Sequence, residues 1–134
     1  MRSVIYNFIK GLNLKAKGFT LTEHLPWEDN GAPLYHHNKK YIYVNTSQTE
    51  QAPLFDAFNQ TGTINETTTV SVFFVNDAKI LPANYDEVVD LIKEARLAPG
   101  TEGYIQRTVQ VNSDFQEDAL ITTFIFSFRR LLTN

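Results

Sequence analysis

The sequence predicts an α+β domain, a mostly antiparallel sheet with two helices packed on one face. Three patterns carry this expectation. Gly103 to Val111 and Ala119 to Leu131 read as the strands of a closing hairpin, and in the second Phe124, Phe126 and Phe128 alternate with Ile121, Thr123, Ile125 and Ser127. A period of two puts such side chains on opposite faces of a strand. Val4, Ile5, Phe8, Ile9 and Leu12, and later Tyr85, Val88, Val89, Ile92 and Ala95, recur instead at helical spacing. The order helix, several strands, helix, two strands then lets both helices cover one side of the sheet.

Each element has its own local reason. The first helix covers roughly Ser3 to Leu12, and Gly11 and Gly18 frame its end. Phe19 and Leu21 alternate with Thr20 and Thr22, which gives a short strand. Asp29-Asn30-Gly31 is a turn, because Asn-Gly supplies the positive φ that a tight turn needs. Leu34-Tyr35 begins another extended piece. Lys40 to Asn45 is a strand with Tyr41 and Tyr43 opposite Ile42 and Val44. Thr46 to Glu66 is a long polar stretch without clear periodicity, of the kind that is usually functional or mobile. Its one apolar island is Leu54, Phe55 and Phe58. Thr67 to Val75 is a strand dense in β-formers. The second helix, Tyr85 to Leu97, turns Asp86, Glu87, Asp90, Lys93 and Glu94 outward, and Pro99-Gly100 stops it. Asn112 to Asp118 reads as the polar connection of the closing hairpin.

Composition bounds the function. A chain of 134 residues, 43% hydrophobic and 20% charged, suits one domain with one modest core, so residues 1–134 are read as a single unit. A net charge of −3 offers no general attraction to nucleic acid or to an acidic membrane surface. With no cysteine, disulfides, thiolate zinc sites and cysteine nucleophiles are excluded together. No segment approaches the length of a membrane span. The opening residues are not read as an export signal, because Asn7 and Lys10 interrupt their apolar run.

Nothing in the sequence organises a reaction. His36 and His37, with His24 upstream, form the only histidine cluster, and on a strand the adjacent pair would point to opposite faces. Asp86, Asp90 and Glu94 share a helical face and read as a solvated exterior. There is no Gly-x-Ser-x-Gly elbow and no glycine-rich phosphate loop. The expectation is therefore a non-enzyme with no cofactor and no metal. The residues worth watching are candidates for subunit contact. Leu54, Phe55 and Phe58 either tuck onto the core or form a protruding apolar patch. Arg107 falls in phase with Ile105, Val109 and Val111, where an unpaired charge is costly, so it marks a polar partner in the next strand, a neighbouring subunit, or an end of the sheet that is solvated. Arg129 and Arg130 sit at the end of the hairpin.

Taken in order, the short N-terminal helix, the strand Lys40-Tyr-Ile-Tyr-Val-Asn-Thr46, a long loop, the Thr67–Val75 strand, one helix and a closing hairpin resemble the tail terminator proteins of long-tailed bacteriophages, the lambda-type minor tail protein family. The closing segment from Gly103-Tyr-Ile-Gln-Arg through Asn-Ser-Asp-Phe-Gln-Glu-Asp to Thr-Phe-Ile-Phe-Ser-Phe128 carries most of the likeness. It is a likeness of pattern, covering most of the chain. The resemblance implies a structural virion protein that caps the tail tube as a homo-hexameric ring, ends tail polymerisation and presents a head-joining surface. Its implied partners are the tail tube protein and a head-completion or connector protein, with no membrane and no specific nucleic acid. Its implied location is the virion tail, after assembly in the host cytoplasm. Subunits in a ring meet through heterologous contacts, for which Leu54, Phe55, Phe58, Arg107, Arg129 and Arg130 are the candidates. Two alternatives stand beside it. One is another head-to-tail joining or tail completion protein; the other is a small-ligand-binding α+β domain using Tyr41, Tyr43, His36 or Arg107.

Overall fold

Among the described residues the chain forms six strands and two helices. In chain order these are helix α1 (Arg2–Gly11), a 3-10 turn (Leu14–Lys17), β1 (Thr20–Thr22), β2 (Tyr41–Val44), β3 (Gln48–Pro53), β4 (Thr63–Asp77), α2 (Tyr85–Lys93), a second 3-10 turn (Thr101–Gly103), β5 (Ile105–Gln116) and β6 (Ala119–Thr133). The structure is a computed structural model and describes residues 1–22, 40–53, 63–96, 101–116 and 119–133.

The strands form one sheet in the order β1-β2-β4-β6-β5, with β3 also paired to β4. β1 and β2 are parallel and every other pairing is antiparallel. β4 and β6 run side by side without a slip, from Thr63 opposite Thr133 to Asp77 opposite Ala119. β2 pairs with Val72–Val75 and β3 with Ile64–Thr69, so these two strands occupy successive stretches of the same edge of β4. Between them Asn45 N donates to Ser71 O at 2.9 Å, which keeps the broken strand in line.

The α+β architecture matches the expectation, including both helices on one face. The even-numbered residues Val70, Val72 and Phe74 of β4 and Phe124, Phe126 and Phe128 of β6 are fully buried with Ile42 and Val44 of β2. Ile5 and Ile9 of α1 and Val88 and Ile92 of α2 complete this core. Burying each phenylalanine contributes roughly 1.5–3 kcal/mol. Phe74 is packed from two sides, by Phe19 edge-on at 5.0 Å and by Tyr85 stacked at 5.5 Å. Polar ties fix the helical layer. Arg2 Nε donates to Val44 O at 2.9 Å, Lys17 pairs with Glu87 at 2.7 Å, and Asn84 Nδ2 donates to Lys17 O at 3.2 Å. Asp86 and Glu87 lie in the first turn of α2 and Lys93 in its last, as the helix dipole favours. Gly18 turns the chain from the first 3-10 turn into β1 at φ 94°, a conformation that suits glycine.

The opposite face carries a smaller apolar cluster of Tyr41, Val75, Ala119 and Ile121, beside which Tyr43 stacks on Phe73 at 6.2 Å. Elsewhere this face is hydroxyl- and amide-rich. It presents Thr67, Thr69 and Ser71 from β4, Thr123 and Ser127 from β6, and Thr108, Gln110 and Asn112 from β5.

Three expectations about extent are corrected. Thr46 to Glu66 is not loop throughout, because Gln48–Pro53 forms β3 and β4 begins at Thr63. All of β3 is exposed, so no burial period betrays it; its ladder to β4 holds it in place. The polar residues Asn112 to Gln116 continue β5 rather than forming a connection. Helix α2 ends at Lys93, short of Leu97. A register shift between Gln106 and Thr108 also breaks the phase read for β5. Ile105 therefore lies on the far face and is exposed, while Val109 and Val111 pack against the core. Asp29–Gly31, Leu34-Tyr35 and Pro99-Gly100 lie outside the described residues.

Candidate functional site

The strongest polar constellation in the described residues is centred on Glu66. It lies on β4 in phase with Thr68, Val70 and Val72, and it is 4% exposed. A carboxylate on that face demands donors and a cation. Arg130, directly across the ladder on β6, supplies the cation. Its Nε donates to Glu66 Oε1 at 3.0 Å, and its Nη2 makes an ion pair with the same oxygen at 3.0 Å. Gln51 on β3 donates its Nε2 to Oε2 at 2.7 Å. The Tyr104 hydroxyl, which follows the second 3-10 turn, donates to Oε1.

That single phenol proton fixes the direction of a longer chain of hydrogen bonds. With Tyr104 donating to the carboxylate, the Thr68 hydroxyl donates to Tyr104 Oη at 3.1 Å, and the Thr49 hydroxyl donates to Thr68 Oγ1 at 3.1 Å. Arg130 also lies over the Tyr104 ring, 4.3 Å from its centre, and donates Nη1 to Glu102 O at 2.9 Å. Glu102 is one of two non-glycine residues with positive φ among the described residues, at 49°, and Gly103 follows at 77°. Arg130 thus holds the carbonyl of an unfavourable turn and aims Tyr104 at the sheet. Four segments (β3, β4, β6 and the turn before β5) are clasped by one carboxylate.

The electrostatics follow from this geometry. The Tyr104 hydrogen bond, then that of Gln51, hold the Glu66 carboxyl below the usual carboxylate range; the Arg130 charge adds to this, and burial opposes it. Burial, then the bond to Glu66, pushes the Tyr104 phenol above its ordinary value. Neither group is set to exchange a proton near neutrality, and both Glu66 oxygens are occupied by donors. The arrangement positions chain segments. Tyr104→Phe is expected to cost about 1–3 kcal/mol, because it strips one donor from a buried carboxylate. Urea unfolding measures it, and an unchanged midpoint would show that the hydroxyl contributes nothing.

The sequence-derived candidates are distributed unevenly. Arg130 belongs to the clasp. Its neighbour Arg129 points to the opposite face, where Nε donates to Asn65 Oδ1. Arg107 occupies the bulge of β5, and its side chain lies outside the described residues. Leu54, Phe55 and Phe58, and His24, His36 and His37, also lie outside them. Tyr41 and Tyr43 belong to the far-face apolar cluster. Asp90 makes a 3.6 Å pair with Lys93 on the outer face of α2. Among the described residues no group of three or more His, Asp or Glu is placed to hold a metal ion, and no helix is long and apolar enough to cross a membrane.

Glu66, Gln51 and Tyr104 were not foreseen from the sequence. The available signal was a carboxylate two and four residues before Thr68 and Val70, in phase with the apolar side of its strand. No family model matches the chain, and no curated protein matches it in sequence.

Proposed function

We propose that this chain is a structural assembly subunit of the phage tail terminator kind. In this role it forms a ring of six copies on the end of a tail tube, stops polymerisation and offers a surface to a head-completion or connector protein. The observation that carries the reading is one-sided layering. Both helices cover one face of the sheet, and two fifteen-residue strands extend a hydroxyl- and amide-rich face on the other side. Such a subunit has broad surfaces for neighbours and an internal clasp that makes its long sheet a rigid part. The resemblance in element order to tail terminators supplies the specific setting.

The test is electron microscopy of tails assembled from purified tube protein with and without this chain. Overlong tails in its absence, restored to uniform length on addition, are the expected result. Tails of normal length that fail to join heads would move the role to tail completion. Tubes whose length and ends are indifferent to the protein would remove the reading.

A further inference from the structure

Beside the first helix lies a hollow of about 440 Å³ that takes no part in the clasp. Three short pieces of the chain build it. Tyr6, Ile9 and Lys10 fall at i, i+3 and i+4, so they share one side of α1. The first 3-10 turn adds Leu14 and Lys15, with Asn13 just before them. β1 adds Thr20 and Leu21. β1 is the end strand of the described sheet order, so the hollow sits at the margin of the sheet. Lys10, Asn13, Lys15 and Thr20 are exposed, which leaves it open to solvent.

Floor and rim differ in chemistry. Ile9 and Leu14 are almost wholly buried and belong to the core, so they give the hollow an apolar floor, with Tyr6 and Leu21 half-buried beside them. The rim is cationic. Neither Lys10 nor Lys15 has a carboxylate partner among the described residues, where Lys17, Lys93 and Arg130 hold the ion pairs. No acidic residue lines the hollow. In a chain of net charge −3, two unpaired cations beside one hollow are a local reversal of sign. Helix polarity accounts for Lys10 in the last turn of α1, but not for an apolar floor left open beneath two ammonium groups. The volume falls in the range of small-molecule sites, which are mostly apolar with a few placed polar groups.

We propose that this hollow binds a small organic carboxylate, its anionic head held by Lys10 and Lys15 and its apolar body laid on Ile9 and Leu14. The body supplies most of the affinity, because exposed ion pairs contribute little one by one. The lysines supply the choice of an anion over a neutral molecule of the same shape. The site lies within one subunit, so it goes beyond the assembly reading and does not depend on it.

Octanoate is the probe, titrated into the full chain and followed by the protein's NMR chemical shifts. Saturable shifts centred on α1, the first 3-10 turn and β1 are expected. Octanol lacks the charge and acetate lacks the body, and each is expected to bind at least about tenfold more weakly. Lys10→Gln and Lys15→Gln are each expected to weaken octanoate binding roughly threefold, and together roughly tenfold, while leaving octanol unchanged. Added salt should weaken octanoate and spare octanol. Thr20→Tyr, which crowds the hollow and keeps both lysines, is expected to weaken both ligands. Circular dichroism confirms that each variant folds. Octanol binding as tightly as octanoate, or octanoate binding unchanged in the double lysine variant, would overturn the proposal. So would shifts centred elsewhere on the protein, or no saturable binding at all. Tube capping enters none of these readouts, so the site and the tail role stand or fall separately.

Discussion

Phe126→Ala is expected to lower the unfolding free energy by about 3–5 kcal/mol. Phe126 is fully buried at the middle of β6, flanked in phase by Phe124 and Phe128 and paired across to Val70 on β4 and Val109 on β5. Removing its ring takes away the transfer energy of a large apolar group and leaves a void beneath the helices. Strands locked by ladders on both sides cannot shift to fill that void, so the cost belongs at the upper end of the range. A domain of this size has a total stability on the order of 5–15 kcal/mol, so the variant stands near the threshold of folding. Urea unfolding followed by circular dichroism gives the difference directly. Phe115→Ala is the matched control. It is an exposed ring, and its loss is expected to change stability by less than about 0.5 kcal/mol. Equal losses at the two positions would contradict the burial pattern on which the fold rests.

Acid destabilises this fold through Glu66. The folded carboxyl titrates below its ordinary value of 4.5, so near and below that value the unfolded chain takes up the proton more readily than the folded one. The stability that Glu66 provides is therefore fully present above its unfolded value and is lost as pH falls through the folded one. Protonation also weakens the Arg130 pair and removes one acceptor from a buried cluster whose donors cannot turn to water. Melting temperatures measured from about pH 7 down to about pH 3 are expected to fall more steeply for the parent than for Glu66→Gln. Parallel curves would show that the carboxylate has no such role. At neutral pH Arg130→Ala is expected to be more damaging than Tyr104→Phe, since it removes the cation paired with Glu66 and releases the Glu102 carbonyl together. The phenol acts at the alkaline end. Raised above its ordinary 10.0, Tyr104 contributes stability below that value that is lost as pH rises through the folded one.

The parts of the fold that sequence reveals are those where burial and period coincide. β6 was legible because Phe124, Phe126 and Phe128 alternate with Ile125 and Ser127 over a core that covers only one face. Both helices were legible from their apolar stripes, within a few residues at their ends. β3 was not, because Gln48, Glu50 and Ala52 on one side and Thr49, Gln51 and Pro53 on the other are equally exposed. Its strand identity comes from its neighbour. β5 was half legible, since the bulge at Arg107 reverses the facing of everything before it. Ile105, read as a core residue, is exposed for that reason. In the sequence Arg129 and Arg130 stand together, as candidate contacts at the end of the hairpin. Adjacent strand positions separate them onto opposite faces, Arg130 holding the clasp and Arg129 bonding to Asn65. Glu66 escaped notice because it was read as the last residue of a polar stretch rather than as the start of an alternating one.

The unbroken ladder between β4 and β6 has a consequence for time. Thr63 meets Thr133 only when α2, β5 and β6 have all been made, so the central pairing is among the least local contacts of the chain. Closing so long a loop costs entropy before any ladder bond offsets it, and folds built on such contacts form in milliseconds to seconds rather than microseconds. The β5–β6 hairpin is the more local of the two pairings that β6 makes. Until β6 is made, Val70, Val72 and Phe74 sit on a strand with one edge open, the kind of surface that draws intermediates into aggregates. The chain thus has its most vulnerable moment during synthesis, before β6 has been made to cover that edge.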